Sequence, residues 1–124
     1  MYLGIAAHKH DGSIDIGFCA HDGTYSTDFA VHTIEAGDDP AFALSNYIVP
    51  QVRRYQEEHE YKFVGVGIGT DLLQLSPGLS SRIWRDLDIV PLVFGWDKGI
   101  PSVVDTQGME VDELADYMAR RCIL

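Results

Sequence analysis

Between residues 61 and 94 the apolar positions fall into two tight runs separated by a stretch of helical rhythm. Phe63, Val64, Val66 and Ile68 are threaded by Gly65, Gly67 and Gly69. A short β-branched run bounded by glycine and by Thr70-Asp71 predicts a strand buried on both faces. Leu72, Leu73, Leu75, Leu79, Ile83, Trp84 and Leu87 follow at mostly helical spacing, with Pro77 near the helix start. Ile89, Val90, Leu92, Val93 and Phe94 then form the second buried run. Strand, helical crossover and strand make a βαβ unit, right-handed if its strands are parallel neighbours. This unit is read as the centre of the sheet.

The first third of the chain alternates instead. Tyr2 to His8 reads as a strand, and Asp11-Gly12 as the turn that ends it. Ile14, Ile16 and Phe18 alternate with Asp15, Gly17 and Cys19, a period of two that predicts a second strand. His21-Asp22-Gly23 is a second turn. Thr24 to Ile34 predicts a third strand, with Tyr25, Thr27, Phe29, Val31 and Thr33 on one face. Three strands joined by tight turns form an antiparallel meander.

Asp38-Asp39-Pro40 signals a helix start, and Ala41 to about His59 reads as helical. Pro50 lies inside that span and predicts a kink or a split. Residues 95 to 108 read as loop, rich in glycine. Glu110 to Arg121 predicts a last helix, with Val111, Leu114, Ala115 and Met118 on one face. Its acidic residues come first and Arg120-Arg121 last, which suits the helix dipole. The uncapped apolar ending at Ile123-Leu124 reads as a cut from something longer.

The predicted order is βββ-α-β-α-β-α in a single α/β domain spanning residues 1–124. A meander followed by parallel strands with crossover helices is the order of ribonuclease H-like and actin-like folds. It implies a mixed five-stranded sheet with flanking helices, in strand order 3-2-1-4-5 if the fourth strand pairs with the first. Ile5, Ile16, Phe18, Phe29, Val64, Val66, Ile68, Ile83, Trp84, Leu87, Ile89, Val90, Leu114 and Met118 are the expected core.

Composition narrows the partners. Hydrophobic residues make up 46% of the chain, enough for one core in 124 residues. Nine basic against 19 acidic residues leave a formal net charge of −10. That sign argues against a nucleic-acid backbone and against an anionic membrane surface. The sequence holds no run of eighteen apolar residues, so no membrane span is expected. Neither is a secretion signal, because Met1 opens directly onto strand-like residues. Cys19 and Cys122 are read as reduced thiols of a cytoplasmic protein.

Candidate chemistry is sparse. A ribonuclease H-like nuclease needs carboxylates converging on two metal ions, one of them from the first strand. Ala6 and Ala7 stand where an Asp would be wanted. An actin-like ATPase needs two glycine-containing phosphate loops. Asp11-Gly12-Ser13 and Gly67-Ile68-Gly69-Thr70-Asp71 are the candidates, and glycines of buried strands and hairpin turns explain both. No P-loop sequence occurs. His8, His10 and Asp71 could meet if strands one and four are adjacent, a metal-site reading set against solvated turn residues as the ordinary explanation. His21 and Asp22 lie at the other end of strand two, roughly 20 Å away at strand rise. Trp96 sits in a loop. No catalytic residue and no cofactor is assigned.

Two stretches carry a family resemblance. One is Tyr25-Ser26-Thr27-Asp28-Phe29-Ala30, after the turn at His21-Asp22. The other runs from Tyr61-Lys62-Phe63-Val64-Gly65-Val66-Gly67 through Ser81-Arg82-Ile83-Trp84-Arg85-Asp86-Leu87-Asp88-Ile89-Val90-Pro91-Leu92-Val93-Phe94. Together they resemble the N-terminal region of fungal trehalose phosphorylases, also called clock-controlled trehalose synthases, over most of residues 14 to 94. The Trp-x-x-x-Asp-Ile-Val-Pro run is the most specific part.

The resemblance implies a retaining glycosyltransferase of family four. Such enzymes interconvert trehalose and phosphate with glucose and glucose 1-phosphate, and synthesis from a nucleotide sugar has also been proposed. Their two-lobed GT-B catalytic region follows this one, and none of its substrate-binding residues has a match here. The expected role is a non-catalytic N-terminal structural or interaction domain, with a homodimer or the catalytic lobes of the same chain as partner. Tyr25, Thr27, Phe29 and Val31, on a long third strand at the sheet edge, are the candidate self-association residues. The alternative is a free-standing nucleotide- or small-ligand-binding domain of actin-like or ribonuclease H-like ancestry.

Overall fold

The computed structural model describes residues 1–10, 12–94 and 111–122. The side chains of residues 10, 70, 71, 93, 94, 112 and 121 lie outside that description, as do the expected loop at 95–108, Trp96 and the Ile123-Leu124 end. The elements are β1 (Tyr2–His10), β2 (Ser13–His21), β3 (Ser26–Glu35), α1 (Pro40–Glu58), β4 (Gly65–Gly69), α2 (Thr70–Leu75), α3 (Leu79–Leu87), β5 (Pro91–Phe94) and α4 (Val111–Arg121). They form an α/β fold around one mixed five-stranded sheet, in the order β3-β2-β1-β4-β5.

β1 runs antiparallel to β2 and parallel to β4. It, and not the βαβ unit, is the centre of the sheet, and β5 is an edge. The reason lies in its side chains. Leu3, Ile5 and Ala7 face one side and Gly4 and Ala6 the other, and all five are buried. A strand without an exposed face suits the middle of a covered sheet.

The large side chains of β1, β2 and β4 pack against α1, α2 and α3. Ile5, Ile16, Phe18 and Ile68 share that core with Leu44, Ile48 and Val52 of α1, and with Leu79 and Ile83 of α3. α1 starts where the sequence predicts. Pro40 occupies its first turn, and the Asp39 carboxylate accepts the Phe42 N–H at 3.1 Å. Pro50 does not split it, and the helix is one element of 19 residues with Pro50 on its exposed side. The crossover, read as one helix, is two. Ser76-Pro77-Gly78 separates α2 from α3, and the Ser76 hydroxyl bonds Ser45 of α1 at 2.8 Å and the Ala41 carbonyl at 2.9 Å.

Four expected core residues are exposed: Phe29, Val64, Trp84 and Val90. Val64 and Val90 precede the strands that the sequence predicts for them, because β4 begins at Gly65 and β5 at Pro91. On α3, Leu79 and Ile83 define the buried stripe. Trp84 lies one residue beyond Ile83, about 100° around the helix, and is 56% exposed. Trp84→Ala is therefore expected to change stability by less than about 1 kcal/mol. A denaturant melt showing a loss of about 3–5 kcal/mol, the cost of emptying a core aromatic site, would contradict the exposure.

Candidate functional site

The opposite face of the sheet carries small residues and one helix. Gly4 pairs with Cys19 and with Gly67, and Ala6 pairs with Gly17, so these small side chains share a face. α4 lies on them. A Cβ placed on Gly4 would come within 1.8 Å of the Ala115 carbonyl oxygen, and one on Gly67 within 2.3 Å of the Met118 carbonyl oxygen. On the helix side the contact residues are also small, Ala115 and Ala119, both fully buried. The strand glycines thus form a seat for helix backbone. Gly67, one of the glycines of the phosphate-loop candidate, is filled by this contact. Gly12, in the other candidate, adopts φ +78° in the turn after β1 and has no atom near its absent side chain.

A polar clamp secures the helix. The Ser26 hydroxyl of β3 donates to the Asp116 carboxylate of α4. The Cys19 thiol of β2 points at the same oxygen, 3.6 Å away. Arg120, one turn along α4, closes on Asp116 at 3.0 Å. Burial, reinforced by the nearby Asp116 charge, pushes the Cys19 thiol up to about 12. Burial likewise raises Cys122 to about 11. Neither is the low-pKa thiolate that nucleophilic chemistry needs. Both cysteines are free thiols.

His21, Asp22 and Tyr61 also hold structure. His21 is buried, and its Nδ1 accepts the Gly23 N–H at 3.0 Å. The Asp22 carboxylate accepts the Thr24 and Tyr25 N–H groups at 2.7 Å each, which holds its pKa below the ordinary value. Tyr61 donates its hydroxyl to Asp28 of β3, and that bond raises the phenol pKa. His8 is half-buried on β1, whereas the His10 and Asp71 side chains it was to meet are outside the described residues. Among the described residues no group of three or more His, Cys, Asp or Glu side chains gathers as a metal site. Ala6 and Ala7 are buried, apolar core residues.

Several large apolar side chains stay open to solvent, among them Phe29, Val31, Phe42, Val64, Trp84 and Val90. One shallow groove lies between α3 and the start of β5, lined by Ser80, Ser81, Trp84, Val90 and Pro91. The larger surface is β3. Its ten residues alternate between half-buried and exposed, and among the described residues its only paired neighbour is β2. Phe29 pairs with Cys19 and Val31 with Gly17, so both lie on the face that α4 occupies. α4 covers β1 and β2 and reaches β3 at Ser26, which leaves Phe29 54% and Val31 51% exposed. Thr27 and Tyr25 are exposed as well. The ladder with β2 is irregular at Ala20/His21, where Thr27 is the additional residue of β3. Thr27, Phe29 and Val31 therefore stand on the edge strand, whereas Tyr25, expected within it, lies in the turn before β3.

No helix of the described residues is long and apolar enough to cross a membrane. The family model for the trehalose phosphorylase-like N-terminal domain matches residues 1–124. The chain is 39% identical to a trehalose phosphorylase of Pleurotus pulmonarius and 33% identical to one of Grifola frondosa, each over 100 residues. A third trehalose phosphorylase, from Pleurotus sajor-caju, is 39% identical over 100 residues. Each match covers 76% of this chain and 13–14% of the relative, so the chain spans about one-seventh of their length.

Proposed function

This chain belongs to the trehalose phosphorylase-like N-terminal domain family, and we propose that it is the non-catalytic interaction module of a longer sugar-transferring enzyme. The observation that carries this reading is the use made of its polar groups. Ser26, Asp116 and Arg120 hold α4, Asp28 holds Tyr61, and Ser45 and Ser76 hold α1 against the crossover. The edge strand instead leaves Phe29 and Val31 open beside Thr27 and Thr33, a surface that suits contact with protein.

The parent in this reading is a retaining glycosyltransferase that makes or phosphorolyses trehalose, which the resemblance to fungal trehalose phosphorylases implies. A catalytic cleft between two lobes needs two domains, and 124 residues supply one. The module therefore adds shape and contacts to an active site located elsewhere in the parent. Its sheet order supports a ribonuclease H-like or actin-like ancestry put to structural use. Two free thiols fit a cytoplasmic setting.

The purified chain is expected to release no glucose 1-phosphate from trehalose and phosphate above a protein-free blank. A parent-length trehalose phosphorylase assayed in parallel serves as the positive control. Measurable phosphorolysis by residues 1–124 alone would refute the non-catalytic reading.

A further inference from the structure

We infer that β3 of one copy pairs antiparallel with β3 of a second copy, centred on Ala30, so that two five-stranded sheets join as one. The inference rests on the reading of this chain as an interaction module and names its partner. It begins from the edge that β3 presents among the described residues. β3 spans ten residues and is longer than most strands. From Ser26 to Glu35 it contains no Pro, Lys or Arg, the residues that commonly discourage edge pairing. Its bulge is confined to Thr27, at the start, and leaves Asp28 to Glu35 in regular register with β2.

Symmetry restricts the registers. Two identical strands that extend a sheet about a twofold axis present the same face to the same side. Residues directly opposite must then share a face, so the axis passes through a residue and never between two. Centring on Phe29 sets Asp28 opposite Ala30 and brings the Thr27 bulge opposite Val31, two residues from the axis. Centring on Val31 sets the Asp28 carboxylate opposite the aliphatic Ile34. Centring on Ala30 sets Asp28 opposite His32 of the second copy, and Phe29 opposite its Val31, each twice. A carboxylate–imidazole hydrogen bond and an aromatic–β-branched contact both favour that register.

The surroundings accept this arrangement. His32 is half-buried, with its ring 5.8 Å from that of Phe18 and 5.6 Å from that of Tyr47. Asp28 accepts the Tyr61 hydroxyl, and a carboxylate has capacity for further donors. Ala30 at the axis has the smallest side chain of the five residues from Asp28 to His32. In a chain of net charge −10, association requires an edge where like charges do not meet. The Ala30-centred ladder meets that condition, because Glu35 lies beyond its end. Phe29 and Val31 of both copies then form one apolar stripe on the α4 side.

The test is light scattering on the 124-residue chain over a range of concentrations, combined with cysteine trapping. The wild type is expected to reach twice the 13.8 kDa of one chain. Ala30→Cys is expected to form an intermolecular disulfide under mild oxidation, because opposite Cα atoms lie within disulfide reach. Val31→Cys alone is expected not to, since it faces Phe29. Phe29→Lys, at an exposed position, is expected to return the protein to the monomer with an unchanged circular dichroism spectrum. A monomeric wild type at every concentration overturns the inference and leaves this edge to another part of the parent enzyme. A dimer that survives Phe29→Lys, or equal trapping by both cysteine variants, overturns the register. None of these outcomes bears on the activity assay that tests the non-catalytic reading.

Discussion

Gly4→Ala is expected to lift α4 from the sheet. The added methyl would sit 1.8 Å from the Ala115 carbonyl oxygen and 2.5 Å from the Ala119 nitrogen. Both are helix backbone and cannot rotate away as a side-chain tip does. The helix must translate as a unit, which breaks the Asp116 contacts to Ser26 and Cys19 and exposes Leu114, Ala115 and Met118. The expected cost is about 3 kcal/mol, the upper end of the usual overpacking penalty. Denaturant melting gives the total, and hydrogen exchange of the α4 amides locates it. A loss below about 1 kcal/mol with α4 still protected would show that the seat is looser than these distances require. Gly67→Ala, whose methyl would meet the Met118 carbonyl oxygen at 2.3 Å, provides an independent repeat at the other end of the contact.

Phe18→Ala is expected to be comparably damaging on the other face of the sheet. Phe18 is 1% exposed and projects from β2 into the core beneath α1, with its ring 5.8 Å from Tyr55. It also lies 5.8 Å from the His32 ring of β3, so one side chain ties the edge strand to the helix. Removing it forfeits the burial of the ring and leaves a cavity, about 3–5 kcal/mol for a buried phenylalanine. Single domains hold about 5–15 kcal/mol in total, so the variant is expected to be marginal or unfolded in a urea melt. A midpoint close to that of the wild type would mean that the neighbouring rings collapse into the space. The contrast with Trp84→Ala tests whether position on the fold, and not aromatic size, sets the cost.

Much of this arrangement is legible in the chain itself. The period-two pattern from Ile14 to Phe18 and the Asp-Gly turns specify a meander. The Asp39-Pro40 start predicts α1, and the strand-helix-strand rhythm from Phe63 onward predicts the parallel half. These signals are local, and local chemistry decides them: a turn needs a residue tolerant of positive φ, and a covered strand needs apolar residues. Thr27, Phe29 and Val31 fall on an edge because the strand order places the third strand outermost.

Other features depended on which element covers which face. The alternation in β3 shows that Phe29 and Val31 share a side, and it carries no information on how far α4 extends over that side. The helical rhythm of α3 brings Trp84 close to the apolar stripe, yet the stripe through Leu79 and Ile83 sets the core-facing angle and turns the indole to solvent. The clamp was invisible for a different reason. Asp116 meets Cys19 and Ser26 across 97 and 90 residues of sequence, and no periodicity spans that distance. The strand glycines are the sharpest case. A glycine in a strand is compatible with a turn, a bulge, a phosphate or a close backbone approach. Only the placement of the Ala115 and Met118 carbonyl oxygens decides among them, because the space that a missing Cβ leaves acquires a purpose from the atom that fills it.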